Sequence, residues 1–358
     1  MKVKWNVGWG VEERCNMNCE FCYSKEVRNS AASLTLNDYI KFVDNNSKYI
    51  SSINYGTGEN SLSEEWFMLV EYIGKNYPFI RQALTTNGYI SQACKNLVKE
   101  KIFEKYIDEI DISLDFASSE RHNRFRGNSN AYNMAIDTFK MCNTFSKRIT
   151  LVFLGTNEVV HPNNLAGLFD IANKYNAYLR TNIYRPTRGI NAQSETFILS
   201  PLKLIEMLFW IAENHRIIKV SDSLLAPVMF GNIAKDYSGS SSLRILGDGS
   251  ITPSTYLINE NYRKYNILDD NLHLNEIDFK DKIDADCIPL ACEKCKFIAE
   301  CKGGVYDRRI LWYGSLKERD PYCPYRLGKF NIDTIKMESD DNFNSIHDSY
   351  LPTMFFAY

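Results

Sequence analysis

Apolar and polar residues alternate along the first 215 residues with two periods, one helical and one typical of strands. Segment 63–75 has apolar residues at i, i+3, i+4 and i+7, on one face of a helix, namely Trp66, Leu69, Val70 and Ile73. Short apolar runs between such segments have the length of strands. The pattern predicts strands over 2–8, 53–55, 80–85, 107–114, 149–154 and 177–184. It predicts helices over 36–46, 63–75, 91–100, 131–144 and 163–175, and a further one that begins at Pro201.

Two of the helix starts carry capping residues. Thr35 and Asp38 form a capping pair at the start of 36–46. Ser200 stands at the N-cap position before Pro201, which is favoured at the first position of a helix. These residues predict where both helices begin.

Six strand–helix units predict an α/β fold, because parallel strands need crossover connections. Six units are fewer than the eight of a closed barrel, so we expect a partial (βα)6 TIM-like barrel, open on one side. Functional residues should lie at the carboxyl ends of its strands. The composition changes after residue 216, with a serine- and glycine-rich stretch at 238–242 and a hairpin pattern around Leu246-Gly-Asp-Gly249. We predict three parts: a barrel over 1–216, a small domain over 217–326, and a tail over 327–358.

Composition and charge narrow the function classes. The 358 residues are 44% hydrophobic and 24% charged, which is typical of globular proteins, and the formal net charge is −2. Without a basic excess, nucleic acid is not expected as a partner. No apolar run has the roughly 20 residues of a membrane span, and the start lacks the apolar core of a signal peptide. We therefore expect a cytoplasmic protein that binds neither nucleic acid nor membrane.

Eight of the ten cysteines fall into two groups, which indicates metal or iron–sulfur ligation in a reducing compartment. Cys15, Cys19 and Cys22 follow the first strand. Three thiolates can hold a [4Fe–4S] cluster and leave one iron open, whereas a structural zinc site usually needs four ligands. The second group contains Cys287 and the four residues Cys292, Cys295, Cys301 and Cys323. Four thiolates saturate either a [4Fe–4S] cluster or a zinc ion.

The segment Arg14-Cys-Asn-Met-Asn-Cys-Glu-Phe-Cys22 resembles the signature of the radical S-adenosylmethionine (SAM) enzymes, including the aromatic Phe21. The resemblance covers about residues 3–215. It implies that Cys15, Cys19 and Cys22 bind a [4Fe–4S] cluster whose open iron is chelated by SAM. It also implies reductive cleavage of SAM to a 5′-deoxyadenosyl radical that abstracts a hydrogen from the substrate.

The resemblance also implies a set of SAM-contacting residues. Gly58-Glu59 resembles the family's "GGE" turn, although Thr57 replaces its first glycine, and an ordinary turn is the alternative. Asn87 lies in a "TNG" turn that could equally shape the site. Arg126 suits a carboxylate, with a surface ion pair as its alternative. The implied cofactor-binding residues are Phe21, Gly58, Glu59, Asn87, Ser113, Asp115, Arg126 and Arg180.

The second cysteine group resembles the auxiliary-cluster half of the SPASM/twitch extension of radical SAM enzymes. The resemblance implies that Cys292, Cys295, Cys301 and Cys323 hold one auxiliary [4Fe–4S] cluster. Ser238, Ser254 and Val305 stand where that extension has cysteines of a second, inner cluster. We expect the inner cluster to be lost, and the freed space to join a substrate pocket lined by 246–256 and 303–306.

Cys287 is left over from this assignment. It is either a spare core thiol, a substitute ligand, or a catalytic thiol.

SPASM-type extensions occur on enzymes that modify peptides. The resemblance therefore favours an oxidoreductase that installs a crosslink, a thioether or an epimerised centre in a ribosomally synthesised peptide (a RiPP maturase). The alternative is a dehydrogenase or epimerase of a sugar or aminocyclitol. An electron carrier without catalysis would instead need a closed first site. The expected partners are the substrate and a flavodoxin- or ferredoxin-type reductant. Because the sequence begins at the first strand, we expect a separate protein or a strand edge to bind any leader peptide.

Overall fold

The computed structural model describes residues 4–25, 34–328, 335–338, 340 and 343–358. The described residues form eleven strands in one sheet. The strands are β1 (Trp5–Trp9), β2 (Ile50–Tyr55), β3 (Arg81–Thr86), β4 (Glu109–Ser113), β5 (Arg148–Gly155), β6 (Tyr178–Ile183), β7 (Arg216–Val220), β8 (Ser242–Ile245), β9 (Ser250–Thr252), β10 (Tyr265–Asn266) and β11 (Met354–Ala357).

The helices alternate with the first seven strands and then follow them. They are α1 (Leu36–Asn46), α2 (Glu64–Asn76), α3 (Ile90–Ala93), α4 (Leu97–Tyr106), α5 (Ser119–Arg126), α6 (Ala131–Thr144), α7 (Pro162–Lys174), α8 (Ala192–Glu195), α9 (Pro201–Asn214), α10 (Leu225–Phe230), α11 (Ile298–Cys301) and α12 (Tyr306–Tyr313). Within the described ranges, no helix combines the length and apolar character that a membrane span requires.

The order of strands in the sheet is β10-β9-β8-β1-β2-β3-β4-β5-β6-β11-β7. Strands β1 to β6 lie side by side in chain order, and each neighbouring pair is parallel. In the described part of the chain the sheet does not close, because β10 and β7 are its two ends. The α/β fold with an open parallel sheet is therefore confirmed.

The helical face predicted for 63–75 is confirmed by burial. The apolar residues Trp66, Leu69, Val70 and Ile73 are all fully buried in the main core, which strands and helices share. The capping residues are confirmed as well: Thr35 and Asp38 form a reciprocal capping box, and the Ser200 hydroxyl accepts from the Lys203 N–H at the start of α9.

The helix predicted over 91–100 is wrong in extent. The structure has two helices there, α3 and α4, separated at residues 94–96. The Asn96 side chain accepts hydrogen bonds from the N–H groups of Val98 and Lys99, which starts a new helix at Leu97. Asparagine competes with the helical backbone in this way, so it favours caps over helix interiors.

The sheet continues beyond the predicted end of the barrel at residue 216. Strand β8 pairs in parallel with β1, and β11 lies antiparallel between β6 and β7. The last part of the predicted tail is thus a sheet strand, in which Phe355 and Phe356 are fully buried. Residues 2–3 of the first predicted strand, and residues 329–334, 339 and 341–342 of the tail, lie outside the described residues. The domain boundaries themselves stay predictions.

Candidate functional site

An open cavity lies at the carboxyl ends of β1 to β6. Parallel α/β folds place their sites at this edge, because the loops after successive strands meet there. Of the residues predicted from the sequence, nine line this cavity, namely Cys15, Cys19, Phe21, Cys22, Gly58, Asn87, Ser113, Arg126 and Arg180. Glu59 and Asp115 are buried behind its wall.

The three thiols of the first group are held by different parts of the wall. The Asn87 side-chain amide donates to Cys15 Sγ at 3.5 Å, the Cys19 thiol reaches the Arg126 carbonyl at 3.5 Å, and Cys22 Sγ lies 3.3 Å from Ser24 Oγ. Burial raises the pKa of the Cys19 thiol to about 11, against the opposing effect of Arg126. A protonated thiol at neutral pH becomes a thiolate ligand only when a metal displaces its proton.

The arrangement fits a cluster held by three thiolates. In the described residues no three Cys, His, Asp or Glu side chains converge where one metal ion would sit. A [4Fe–4S] cluster does not require such convergence, because each cysteine binds a different iron. Three thiols facing one open cavity leave space for a fourth ligand that the protein does not supply. Their role as iron ligands stays a prediction.

Glu59 is fully buried, and its carboxylate joins the turn after β2 to the turn after β3. It accepts hydrogen bonds from the Thr86 hydroxyl at 2.9 Å, the Asn87 N–H at 2.8 Å and the Ser61 hydroxyl at 2.5 Å. Burial raises the pKa of Glu59, and these hydrogen bonds oppose the shift. The carboxylate therefore holds Asn87 in position at the cavity wall and does not itself face the cavity.

Asp115 performs a similar role for Arg126. Its Oδ2 accepts from Arg126 Nε at 2.6 Å, and its Oδ1 accepts from the Leu154 N–H at 2.9 Å. The Asp115 N–H in turn donates to His122 Nδ1, and burial lowers the pKa of His122 well below its usual value. A neutral imidazole thus accepts from the backbone while Asp115 orients the guanidinium, which stacks 5.1 Å from the Phe21 ring.

Arg180 projects from β6 and is almost fully buried. Its Nη2 donates to Asp111 at 2.6 Å and its Nη1 donates to Asn182 at 3.0 Å. Its Nε has no hydrogen-bond partner in the described residues. A buried N–H without a partner is costly, so Arg180 has one donor free for a group bound in the cavity.

The cavity residues that the sequence analysis did not single out include Tyr23, Tyr184 and Arg185. Tyr184 and Arg185 follow directly after β6, so their position at a strand end was the signal that could have identified them. Tyr256 arrives from the hairpin beyond the barrel, and its ring contacts Tyr23 with a 5.4 Å centroid distance. Tyr256 belongs to segment 246–256, which the sequence predicted to line the pocket.

The four cysteines of the second group line one small cavity of about 300 Å³, namely Cys292, Cys295, Cys301 and Cys323. Backbone N–H groups of Tyr325 and Arg326 point at the Cys323 sulfur, and that of Gly303 points at the Cys301 sulfur. Hydrogen bonds of this kind to ligating sulfurs are common in iron–sulfur sites. These residues fit an auxiliary cluster, which stays a prediction.

Cys287 is not among the residues that line either thiol cavity. It packs partly buried against a small second core that contains Tyr306 and Ile310. Its carbonyl accepts from Arg309. These contacts are typical of a thiol in a hydrophobic core. The geometry gives no support to the predicted catalytic role of Cys287.

The three residues expected to mark a lost inner cluster do not leave an open space at the cavity. Ser254 is buried and donates to Asp307 Oδ2 at 2.8 Å, and Val305 is fully buried. Ser238 lines a separate groove together with Gly304 and Tyr306. Of the segments 246–256 and 303–306, only Tyr256 lines the cavity. The expected enlargement of the pocket is therefore wrong except at Tyr256, because Ser254 is bonded to Asp307, Val305 is buried and Ser238 lines another groove.

Known proteins share this fold. Residues 11–161 match the profile of the Radical SAM superfamily. The chain is 21% identical over 352 residues to the AdoMet-dependent heme synthase of Methanosarcina barkeri, covering 90% of this chain and 97% of that protein. Its fold is similar to that of native anSMEcpe with bound AdoMet and Cp18Cys peptide, with a TM-score of 0.69 and 19% identity over 89% of this chain and 94% of that chain. It is also similar to Streptococcus suis SuiB bound to the precursor peptide SuiA, with a TM-score of 0.66 and 16% identity over 90% of this chain and 76% of that chain.

The matched region begins just before the loop of the three thiols and includes Glu59, Asn87, Ser113 and Arg126. The superfamily match implies a [4Fe–4S] cluster and SAM as cofactors. Residues 11–161 therefore correspond to a radical SAM domain.

Proposed function

We propose that this protein is a radical SAM enzyme that modifies a peptide, with Cys15, Cys19 and Cys22 as the ligands of its catalytic cluster. The observation that carries the proposal is that one open cavity brings these thiols together with three guanidinium groups. The cluster, when bound with SAM, supplies the electron that cleaves SAM and so generates the radical that abstracts a substrate hydrogen.

The chain's own residues would bind and orient SAM. Arg126, paired with Asp115 beside the thiols, suits the carboxylate of SAM. Asn87 and Ser113 face the same cavity with polar side chains. The Phe21 ring, stacked 4.4 Å from Phe125, excludes water from this side of the site.

Peptide modification draws support from two of the similar folds, which are bound to the peptides Cp18Cys and SuiA. The cavity is open, which allows an extended chain to enter. A crosslink, a thioether and an epimerised centre are the candidate outcomes. We further propose a flavodoxin- or ferredoxin-type reductant, a separate protein for any leader peptide, and a cytoplasmic location, which the ten free cysteines support.

A small-molecule substrate is the second candidate. It is favoured by the similarity to an AdoMet-dependent heme synthase that spans 90% of this chain. Assays of SAM cleavage with a candidate precursor peptide and with small-molecule candidates separate the two, because the true substrate changes mass while 5′-deoxyadenosine forms.

The ligand assignment is tested on protein reconstituted anaerobically with iron and sulfide. Two [4Fe–4S] clusters predict about eight iron per chain. Changing Cys15, Cys19 and Cys22 together to alanine should leave about four iron and abolish 5′-deoxyadenosine formation. The matched variant, with Cys292, Cys295 and Cys323 changed, should also hold about four iron. Cleavage of SAM by the first variant, or zinc in place of iron, would overturn the proposal.

A further inference from the structure

The charged side chains that line the cavity are all cationic. They are Arg126, Arg180 and Arg185, and none of the described carboxylates lines it. Each guanidinium has a carboxylate partner behind the wall, namely Asp115, Asp111 and Asp307 respectively. The guanidinium groups therefore line the cavity, while their carboxylate partners do not. Such a wall favours anions in the cavity.

A fourth guanidinium adds positive charge and has no carboxylate partner among the residues that the structure describes. Arg244 on β8 is almost fully buried, and it interacts electrostatically with Tyr23 and Tyr256 of the cavity wall. Its Nη1 donates to the Tyr350 hydroxyl, while its Nε and Nη2 have no hydrogen-bond partner in the described residues. A buried cation without an anion is costly, so an anion bound nearby would be stabilised.

Arg185 is held rigidly at this wall. Its Nε donates to Asp307 Oδ1 at 3.0 Å, and its Nη1 donates to the Ile183 carbonyl at 2.7 Å. Asp307 is fixed in turn by the Ser254 hydroxyl. The remaining nitrogen, Nη2, makes no hydrogen bond within the described part of the chain, although Arg185 is only 3% exposed. A donor fixed in this way binds a partner at a low entropic cost.

Arg126 and Arg185 act on different parts of the cavity. The Arg126 carbonyl lies 3.5 Å from the Cys19 sulfur, so Arg126 lies at the end where the cluster and SAM are expected. Arg185 instead lies over the Tyr256 ring at 5.3 Å. The carboxylate of SAM accounts for a cation near the thiols, whereas at Arg185 the Asp307 carboxylate engages Nε and leaves Nη2 unused.

We propose that Arg185 anchors a carboxylate of the substrate at the Tyr256 end of the cavity through its free Nη2. This inference rests on the proposed function, because it specifies a feature of the substrate in the same site. The carboxylate belongs either to an acidic residue of a peptide or to a small organic acid, and the same donor geometry serves both.

The anchor is tested by measuring how tightly defined probes bind to the reconstituted, SAM-loaded protein. Anaerobic calorimetry gives these affinities without any need for turnover. One probe pair is the peptide acetyl-Gly-Gly-Glu-Gly-Gly-amide and its glutamine counterpart. The other pair is N-acetylglutamate and N-acetylglutamine. Loading with SAM keeps the probes out of its own carboxylate site. A hydrogen bond to a charged group predicts that the acid of a pair binds about 10- to 100-fold more tightly than its amide.

Arg185→Gln should reduce this preference to less than about twofold while the affinity for SAM is unchanged, and Arg185→Lys should retain part of it. Arg216→Gln, at a surface arginine paired with Glu338, is the matched control and should keep the full preference. If the protein prefers the acid only within the peptide pair, the substrate carboxylate belongs to a peptide. If it prefers the acid only within the small-molecule pair, the carboxylate belongs to an organic acid. Equal binding of acid and amide to the wild type, or a preference that persists in Arg185→Gln, would overturn the anchor.

The two proposals fail in different ways. Wild-type protein that cleaves SAM but does not distinguish acid from amide overturns the anchor alone. Protein that binds SAM and iron but forms no 5′-deoxyadenosine under reducing conditions overturns the proposed function, whatever its preference for acids.

Discussion

At the scale of single residues, three buried carboxylates accept hydrogen bonds from other residues of the protein, and none of the three lines the cavity. Glu59 holds the Asn87 backbone, Asp115 holds Arg126, and Asp111 holds Arg180. Sequence resemblance pointed to Glu59 and Asp115 as contacts of the cofactor, and both are fully buried and are not among the residues that line the cavity. The residues matched the motif, but a motif does not state which way a side chain points.

A buried histidine beneath the cavity predicts a particular pH dependence of stability. Burial, together with Arg180, lowers the pKa of His347 to about 3, although Asp111 opposes the shift. The unfolded chain binds a proton at this residue below about pH 6.5 and the folded chain does not. The free energy of unfolding should therefore fall by about 1.4 kcal/mol per pH unit on acidification from about 6.5 towards 3, from this residue alone.

His347→Gln removes this proton linkage. Urea unfolding at several pH values between 6.5 and 4.5 should show a shallower loss of stability in the variant than in the wild type. His273→Gln, whose side chain lies on an exposed segment, serves as the control and should keep the wild-type slope. Equal slopes in His347→Gln and the wild type would show that the imidazole is not buried in its neutral form.

At the scale of elements, the site is built from turns that follow parallel strands, and close backbone packing sets their shape. Gly58, in the turn after β2, has a φ of +62°. A Cβ there would lie 2.1 Å from the Glu12 carbonyl oxygen and 2.7 Å from that of Arg14. The turn therefore packs directly on the segment that leads into Cys15.

Gly58→Ala should displace that segment and with it the first thiol loop. We expect the variant to lose about four iron on reconstitution and to lose SAM cleavage, because the first cluster fails to assemble. Gly189→Ala is a matched control, since Gly189 also has a positive φ, +78°, but nothing lies within 4 Å of its added Cβ. The control should retain all its iron and should lose only about 1 kcal/mol of stability from backbone strain. Full iron content in Gly58→Ala would show that the turn does not position the loop.

At the scale of the whole molecule, segments distant in sequence complete the sheet. Strand β8 extends it on the β1 side, and β11 from the end of the chain bridges β6 and β7. The last residues of the chain thus join the part of the barrel that carries Arg180, which lies opposite Phe355 in the register. The barrel and the segments after residue 216 share one core as a consequence.

Phe356→Ala should destabilise the protein as a whole. The side chain is fully buried and stacks on Phe153 and lies against Phe169, each with a 6.4 Å centroid distance. We expect the free energy of unfolding in urea to fall by about 3–5 kcal/mol. Phe79→Ala, at a side chain that is 54% exposed, should change it by less than about 0.5 kcal/mol. A change at Phe356 as small as that at Phe79 would mean that β11 is dispensable for the sheet.

The sequence by itself determined the alternating units, the open α/β fold and the position of the thiol loop. These features depend on local periodicity, on caps such as Thr35 and Ser200, and on residues close together in the chain. The short loop that carries Cys15, Cys19 and Cys22 follows a strand, so its place at the carboxyl edge of the sheet needs no long-range information.

Only the tertiary structure decided which side chains face the cavity and which stand behind it. Arg185 reaches its position through Asp307, which lies 122 residues later in the chain, and Tyr256 comes from a hairpin outside the predicted barrel. Strand β11 was missed because its four residues carry no periodic signal long enough to distinguish a strand from a tail. Such contacts depend on packing and charge pairing between distant segments, for which the local sequence holds no pattern.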